Sequence, residues 1–213
     1  MTWARVEHVR DQVVGLRPVY NNSGNATEML LDNGQVLPDK RILKSVVAAL
    51  ARTYAVDLTA QRILVRNWLG KKTLLPFYIA ADRVFIPLKM RQARAGNDET
   101  YGFVDVRFIE SIMETGRRKC RISCRNGFSL DVLSGKSTVL KSQHSGQQLY
   151  ALLGSSDNED SDEERAANSA RMVIRVLNKI SIQLDRIENK LCMNPQDAHS
   201  ASIISKNMPL NAK

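Results

Sequence analysis

The sequence predicts an α+β fold with an antiparallel β-sheet core, a helix in its amino-terminal half and a separate amphipathic helix near its carboxy terminus. Three observations support this prediction. After Thr59, short runs rich in β-branched and aromatic residues alternate with glycine, asparagine or charged turns. One such turn contains Asn126-Gly127, the strongest short-range sign of a β-hairpin. Apolar residues on either side of this region recur at helical spacing instead.

The first helix is expected to begin at Pro38-Asp39, with Asp39 as its N-cap. Before it, NNSGN and LDNGQVLPD are turn segments around short candidate strands. The apolar positions of the helix recur every three or four residues. They are Leu43, Val46, Val47, Leu50 and Tyr54.

Six strands are expected after this helix, because each segment is short and rich in strand-forming residues. The segments are RILVRNWL (62–69), LPFYIA (75–80), RVFIPLKMR (83–91), YGFVDVRFIESIM (101–113), RKCRISC (118–124) and FSLDVL (128–133). METGRR at 113–118 indicates a turn. STVLKSQHSGQQLYALLG at 137–154 indicates a helix, although Gly146 weakens that prediction.

Charge divides the chain into a basic α+β domain at 1–154, an acidic linker at 155–170, an amphipathic helix at 171–193 and a disordered tail at 194–213. In the helix, apolar residues separated alternately by four and three positions form a heptad seam, which predicts self-association. The alternative is a helix that packs on its own domain. The seam residues are Val173, Leu177, Ile180, Leu184, Ile187 and Leu191.

Several classes of function are disfavoured. The amino terminus has no signal-peptide pattern and no apolar run is long enough to cross a bilayer, so a cytoplasmic protein is expected. LSGKST at 133–138 lacks the first glycine of a phosphate-binding loop. Cys120 and Cys124 are expected to be buried free thiols, since only His144 and the distant Cys192 could complete a metal site. No enzyme signature is present, and no metal or cofactor is expected.

Positive charge is the most informative feature. Between Arg62 and Arg94 there are eight Lys or Arg residues and one acid, Asp82. A surface that carries only positive charge favours a polyphosphate partner. When its cations bind the phosphates, the counterions condensed on the phosphates are released, and this release contributes affinity. The alternatives are a merely solvated surface and, less favoured, an acidic membrane surface. Strand alternation predicts that β-sheet cations face outward. The candidate DNA contacts are Arg62, Arg66, Lys71, Lys72, Lys89, Arg91, Lys119, Arg121 and Arg125.

The order of features over about residues 42–150 resembles the ComK family of bacterial competence transcription factors. The matching features are a Tyr before two basic residues, a Lys-Lys-x-x-x-Pro strand start, an aromatic-x-Pro strand end, a Gly-aromatic-aliphatic strand and an Asn-Gly hairpin. Their residues are Tyr54, Arg62, Arg66, Lys71, Lys72, Pro76, Phe85, Pro87, Gly102, Phe103, Val104, Asn126 and Gly127.

This resemblance implies a cytoplasmic, nucleoid-associated transcription activator that binds A/T-rich double-stranded DNA from the minor groove, as an oligomer. It implies that Arg62, Arg66, Lys71 and Lys72 contact DNA. The acidic linker and heptad helix depart from the family pattern. A non-enzymatic protein–protein adaptor that acts through the heptad helix is the alternative function.

Overall fold

The structure is a computed structural model that describes residues 3–22, 24–96 and 98–154. The acidic linker, heptad helix and tail predicted above lie outside these residues. The helices are α1 (Leu43–Thr53), α2 (Leu58–Leu69) and α3 (Lys136–Gly154). The strands are β1 (Val13–Asn21), β2 (Gly24–Leu31), β3 (Val36–Asp39), β4 (Phe77–Ala80), β5 (Arg83–Lys89), β6 (Tyr101–Asp105), β7 (Ile109–Gly116), β8 (Lys119–Cys124) and β9 (Ser129–Val132).

Two antiparallel sheets confirm the predicted α+β class. The larger sheet has six strands in the order β3-β2-β1-β6-β5-β4, and the smaller has three in the order β7-β8-β9. Short 3₁₀ turns at Val6–His8, Arg10–Gln12 and Val106–Phe108 complete the described secondary structure. None of the described helices is long and apolar enough to cross a membrane.

The larger sheet is buried on both faces. Successive side chains of β5 alternate between two apolar clusters, because neighbouring residues of a strand point to opposite faces. Phe85 belongs to the cluster that contains the apolar residues of α1. Ile86 belongs to the cluster that contains residues of α3 and of the smaller sheet. The larger sheet therefore lies between α1 on one side and α3 with the smaller sheet on the other.

The prediction of a strand at 62–69 is wrong, because these residues form most of α2. The Asp57 side chain accepts hydrogen bonds from the backbone N–H groups of Thr59 and Ala60, which caps the first turn. Gly70 ends the helix with a left-handed backbone at φ 60°. These start and stop residues outweigh the strand propensity of the isoleucine, valine and tryptophan between them.

The prediction that Asp39 caps α1 is also wrong. Asp39 is the last residue of β3, is only 2% exposed, and accepts a hydrogen bond of 3.3 Å from Val6 N. Its carboxylate pairs with the guanidinium of Arg41 at 2.6 Å. Ile42 is the N-cap position instead, and α1 begins at Leu43. The sequence pattern assigned the Asp39 carboxylate to a helix cap, but in the structure this carboxylate belongs to a buried ion pair.

The segment 101–113 was predicted as one strand but forms parts of two. β6 joins the larger sheet and β7 the smaller one, with the 3₁₀ turn between them. Asp105 turns the chain there, since its buried carboxylate accepts from Arg107 N at 3.0 Å. The two predicted turns flanking β8 are confirmed, with Arg118 at φ 58° and Gly127 at φ 84°.

Acid is expected to weaken the fold through Glu7. Its carboxylate accepts two hydrogen bonds from Arg41, at 2.8 and 2.7 Å, which lower the pKa of Glu7 from 4.5 to about 2. A lowered folded-state pKa stabilises the fold above the unfolded value, and this stability is lost as pH falls from about 4.5 towards 2. Urea titrations at pH about 5 and about 3 should therefore show a smaller loss of stability in Glu7→Gln than in wild type. Equal losses in the two proteins would contradict this assignment.

Candidate nucleic-acid interface

Helix α2 is attached to the body of the fold along one narrow stripe. Only Gln61 and Val65 are buried, one turn apart. Val65 packs into the apolar cluster beneath α3. Gln61 Nε2 donates to Tyr78 O at 2.8 Å, and Gln61 Oε1 accepts from Tyr78 N at 3.1 Å. The Gln61 side chain thereby pairs with the backbone of edge strand β4, and most of the α2 circumference faces solvent.

Gln61→Leu is expected to lower the free energy of unfolding by about 2 kcal/mol, because it leaves two backbone groups of Tyr78 without their partner. Leucine has a similar volume, so the loss reports the hydrogen bonds rather than a cavity. Urea denaturation measures the effect. Exposed Thr59→Ala, on the same helix, is the control. Equal stability of the two variants would contradict the role given to Gln61.

One flank of the exposed surface of α2 is basic. Arg62 and Arg66 lie one turn apart on it, and both are exposed. Lys71 and Lys72 follow directly after Gly70. No acidic residue occurs between Asp57 and Asp82. We call Arg62, Arg66, Lys71 and Lys72, together with Lys141 of α3, whose charge acts on Lys71, the α2 basic cluster.

Lys141, a residue of α3, also belongs to this cluster, although the sequence did not identify it as a candidate contact. Lys71 Nζ donates to Ser145 Oγ on α3 at 2.7 Å. Burial lowers the pKa of Lys71, and the nearby charge of Lys141 lowers it further. The pattern of α3 alone gives no reason to single out Lys141, since its proximity to Lys71 depends on how α3 packs beside α2. Neither Arg62 nor Arg66 forms an ion pair with any residue in the described ranges.

The predicted outward cations of β8 are confirmed in position. Lys119 and Arg121 are exposed while Cys120, Ile122 and Cys124 are buried, and Arg125 is exposed at the following turn. The charge of Arg121 is offset, however, by an acid on the neighbouring strand. Arg121 Nε and Nη2 donate to the Asp131 carboxylate at 2.8 and 3.3 Å. This hydrogen bonding raises the pKa of Arg121 and lowers the pKa of Asp131.

Asp131→Asn is expected to strengthen nucleic-acid binding by about two- to fivefold if the β8 face contacts phosphate. The substitution removes one negative charge and releases the Arg121 guanidinium, at an exposed pair that contributes little to stability. Anisotropy titration with a labelled duplex measures the change. Asp32→Asn, which removes an exposed acid from the β2–β3 turn, is the matched control. Unchanged affinity in Asp131→Asn would exclude the β8 face from the interface.

Arg91 and Lys89 are not members of the α2 basic cluster, and their contacts with the rest of the protein differ from those of its members. The Arg91 guanidinium stacks on the Tyr20 ring at 4.0 Å from its centroid. It also donates to Glu99 O at 2.6 Å and to Asn25 Oδ1 at 2.7 Å. These contacts hold the loop after β5. Lys89 is the last residue of β5 and is half-buried. Its backbone oxygen accepts a hydrogen bond from the backbone N–H of Leu133, the residue after β9.

The two cysteines of β8 are buried and free, as predicted. Burial raises the pKa of the Cys124 thiol to about 11, and also raises the pKa of Cys120. Within the described ranges, no three His, Cys, Asp or Glu side chains are grouped to hold a metal ion. The thiols therefore act as small apolar core side chains.

Comparisons of the chain with protein-family models, with curated proteins and with solved structures find no match. The resemblance to the ComK family stays a prediction from the sequence.

Proposed function

We propose that this chain is a non-enzymatic regulator of transcription that binds double-stranded DNA, with a preference for A/T-rich sites, through the α2 basic cluster. The observation that supports DNA binding is the separation of charges between elements, whereas the preference for A/T-rich sites comes from the resemblance to ComK. α1, α2 and α3 contain six Lys or Arg residues and no Asp or Glu. The arginines that pair with carboxylates lie outside these helices.

Unpaired cations on a projecting helix suit a phosphate backbone. Arg62 and Arg66 stand about 6 Å apart along the helix axis, since four residues rise 1.5 Å each. That spacing is close to the distance between successive phosphates of one strand, so both guanidinium groups could contact the same backbone. Lys71, which contacts α3 at Ser145, and Lys141 on α3 extend the same charge towards α3. Each contact would release condensed counterions and make the affinity depend on salt.

The finer parts of the proposal come from the resemblance to ComK. We propose a transcription activator that acts in the cytoplasm, associated with the nucleoid, and that self-associates through residues 171–193. Several copies on neighbouring DNA boxes would then bind with a raised effective concentration. The cations of β8 and Lys89 are secondary candidate contacts, and Arg91 is a weaker one because its guanidinium holds a loop.

A protein–protein adaptor is the second candidate. The observation that favours it is a set of exposed large apolar side chains on and after α2. They are Ile63, Leu64, Trp68 and Leu74. An adaptor would use this apolar surface and the heptad seam, and its cations would serve solubility alone.

The testing experiment is a titration of the full chain into labelled A/T-rich and G/C-rich duplexes, by fluorescence anisotropy, at two salt concentrations. A DNA-binding regulator should bind both, bind the A/T-rich duplex more tightly, and weaken steeply as salt rises. Absence of binding at the lower salt concentration would contradict the proposal and leave the adaptor as the better candidate.

A further inference from the structure

The part of α2 farthest from the core carries no cation. Ile63 and Asn67 lie one turn apart, and each is two residues away from Val65, which places them on the side opposite the buried stripe. Ile63 is 58% exposed, more than any other large apolar residue of the described helices. The Asn67 side chain makes no hydrogen bond to any residue that the structure describes. We call Ile63 and Asn67 the α2 tip.

The α2 tip is flanked by cations on one side. Arg66 is one position before Asn67, and Arg62 is one position before Ile63, so both arginines lie on the same flank of the helix. The opposite flank carries Leu64, which is also exposed. A helix that projects a neutral tip beside unpaired cations suits a groove whose wall is phosphate and whose floor presents base edges.

The width of the helix decides between the two grooves of DNA. A helix with its side chains is about 10–12 Å across. The major groove is about 12 Å wide and admits a helix, whereas the minor groove is only about 6 Å wide. α2 is twelve residues long, from Leu58 to Leu69, and of its residues only Gln61 and Val65 are buried. The major groove is therefore the groove that this exposed helix fits by width.

The chemistry of the tip matches A·T base pairs. Asparagine can bond to the N6 and N7 atoms of adenine together, and apolar side chains contact the C5 methyl group of thymine. Asn67 and Ile63 supply one of each, at adjacent positions on the helix surface. We propose that α2 enters the major groove of A/T-rich duplex DNA, where Asn67 and Ile63 select A·T pairs while Arg62 and Arg66 hold the backbone.

This inference rests on the proposed function and adds the groove and the selecting residues. It differs from the minor-groove contact that the resemblance to ComK implies. The two grooves are separable by base analogues. An inosine·cytosine pair presents the minor-groove pattern of A·T but the major-groove pattern of G·C. Uracil differs from thymine only by the absent C5 methyl group, which lies in the major groove.

The test compares three duplexes of one A/T-rich sequence by anisotropy, using the full chain. They are the unmodified duplex, one with inosine·cytosine in place of each A·T pair, and one with uracil in place of thymine. We expect inosine·cytosine to weaken binding at least about tenfold, and uracil to weaken it several-fold. In Ile63→Ala, the difference between thymine and uracil should disappear, since the methyl group has lost its apolar partner.

Asn67→Ala should weaken binding to the unmodified duplex by about 5- to 100-fold and reduce the preference for A·T. Gln148→Ala, an exposed polar residue of α3, is the control and should bind as wild type. If the chain bound the inosine·cytosine duplex as tightly as the unmodified duplex, the major-groove contact would be overturned, whereas DNA binding itself would stand. If Asn67→Ala bound the unmodified duplex as tightly as Gln148→Ala, the role of the α2 tip in selecting A·T pairs would be overturned. No binding to any duplex would overturn the inference together with the proposed function.

Discussion

The double variant Arg62→Glu/Arg66→Glu is expected to bind A/T-rich duplex DNA on the order of 100-fold more weakly than wild type at low salt. Two contacts to phosphate are lost, and two carboxylates are placed against a polyanion. Arg62→Ala/Arg66→Ala should lose less affinity, and its slope of log affinity against log salt should fall by about 2. Anisotropy titrations over a series of salt concentrations measure both quantities.

The control for these variants is Arg5→Ala/Lys40→Ala, which removes two exposed cations remote in sequence from α2. Both α2 side chains are solvent-exposed and unpaired in the described part of the chain, so circular dichroism and urea stability should remain those of wild type. A DNA affinity that falls equally in the control and in the α2 variants would show that only total charge matters. It would contradict a contact surface at α2.

Gly146→Ala is expected to destabilise the protein by about 3 kcal/mol, although alanine is the better helix former by about 1 kcal/mol. Gly146 lies in the middle of α3 where the helix crosses β5. A Cβ atom at this position would overlap Ile86 Cγ2 and come within 3.3 Å of Val106. Ile86 is fully buried and β-branched, so its side chain cannot turn away. Urea denaturation gives the free energy of unfolding.

Gly154→Ala is the matched control, because it is also a glycine of α3 and an added Cβ there meets no atom within 4 Å. It should leave stability unchanged or raise it slightly. If Gly146→Ala were as stable as Gly154→Ala, α3 would not pack against β5 as closely as the structure has it. The position of Lys141 beside Lys71 would then also lose its support.

The features predictable from the sequence were those set by local chemistry. The period of two in RKCRISC placed Cys120, Ile122 and Cys124 inside β8, and the Asn126-Gly127 pair placed the hairpin that follows. The apolar spacing of α1 also predicted a helix. Each of these follows from neighbours within a few residues, so a single sequence contains enough information for them.

The features that could not be predicted depend on partners distant in the chain. Asp39 resembles a helix cap, but Val6 and Arg41 draw its carboxylate into a buried pair. Arg121 resembles a free cation until β9 places Asp131 opposite it. The α2 segment was predicted as a strand because it contains strand-forming residues, although Asp57 and Gly70 are typical start and stop residues of a helix. Treating those two residues as boundaries would have found α2 and its exposed tip from sequence.

The measurement that tests the central claim most directly is lysine footprinting by acetylation and mass spectrometry, with and without saturating A/T-rich duplex. Lys72 and Lys141 are exposed members of the α2 basic cluster, and exposed Lys40 is the internal reference. A DNA contact at α2 predicts that the duplex slows acetylation of Lys72 and Lys141 and leaves Lys40 unchanged. Unaltered acetylation of Lys72 and Lys141 at a DNA concentration that saturates binding would contradict it.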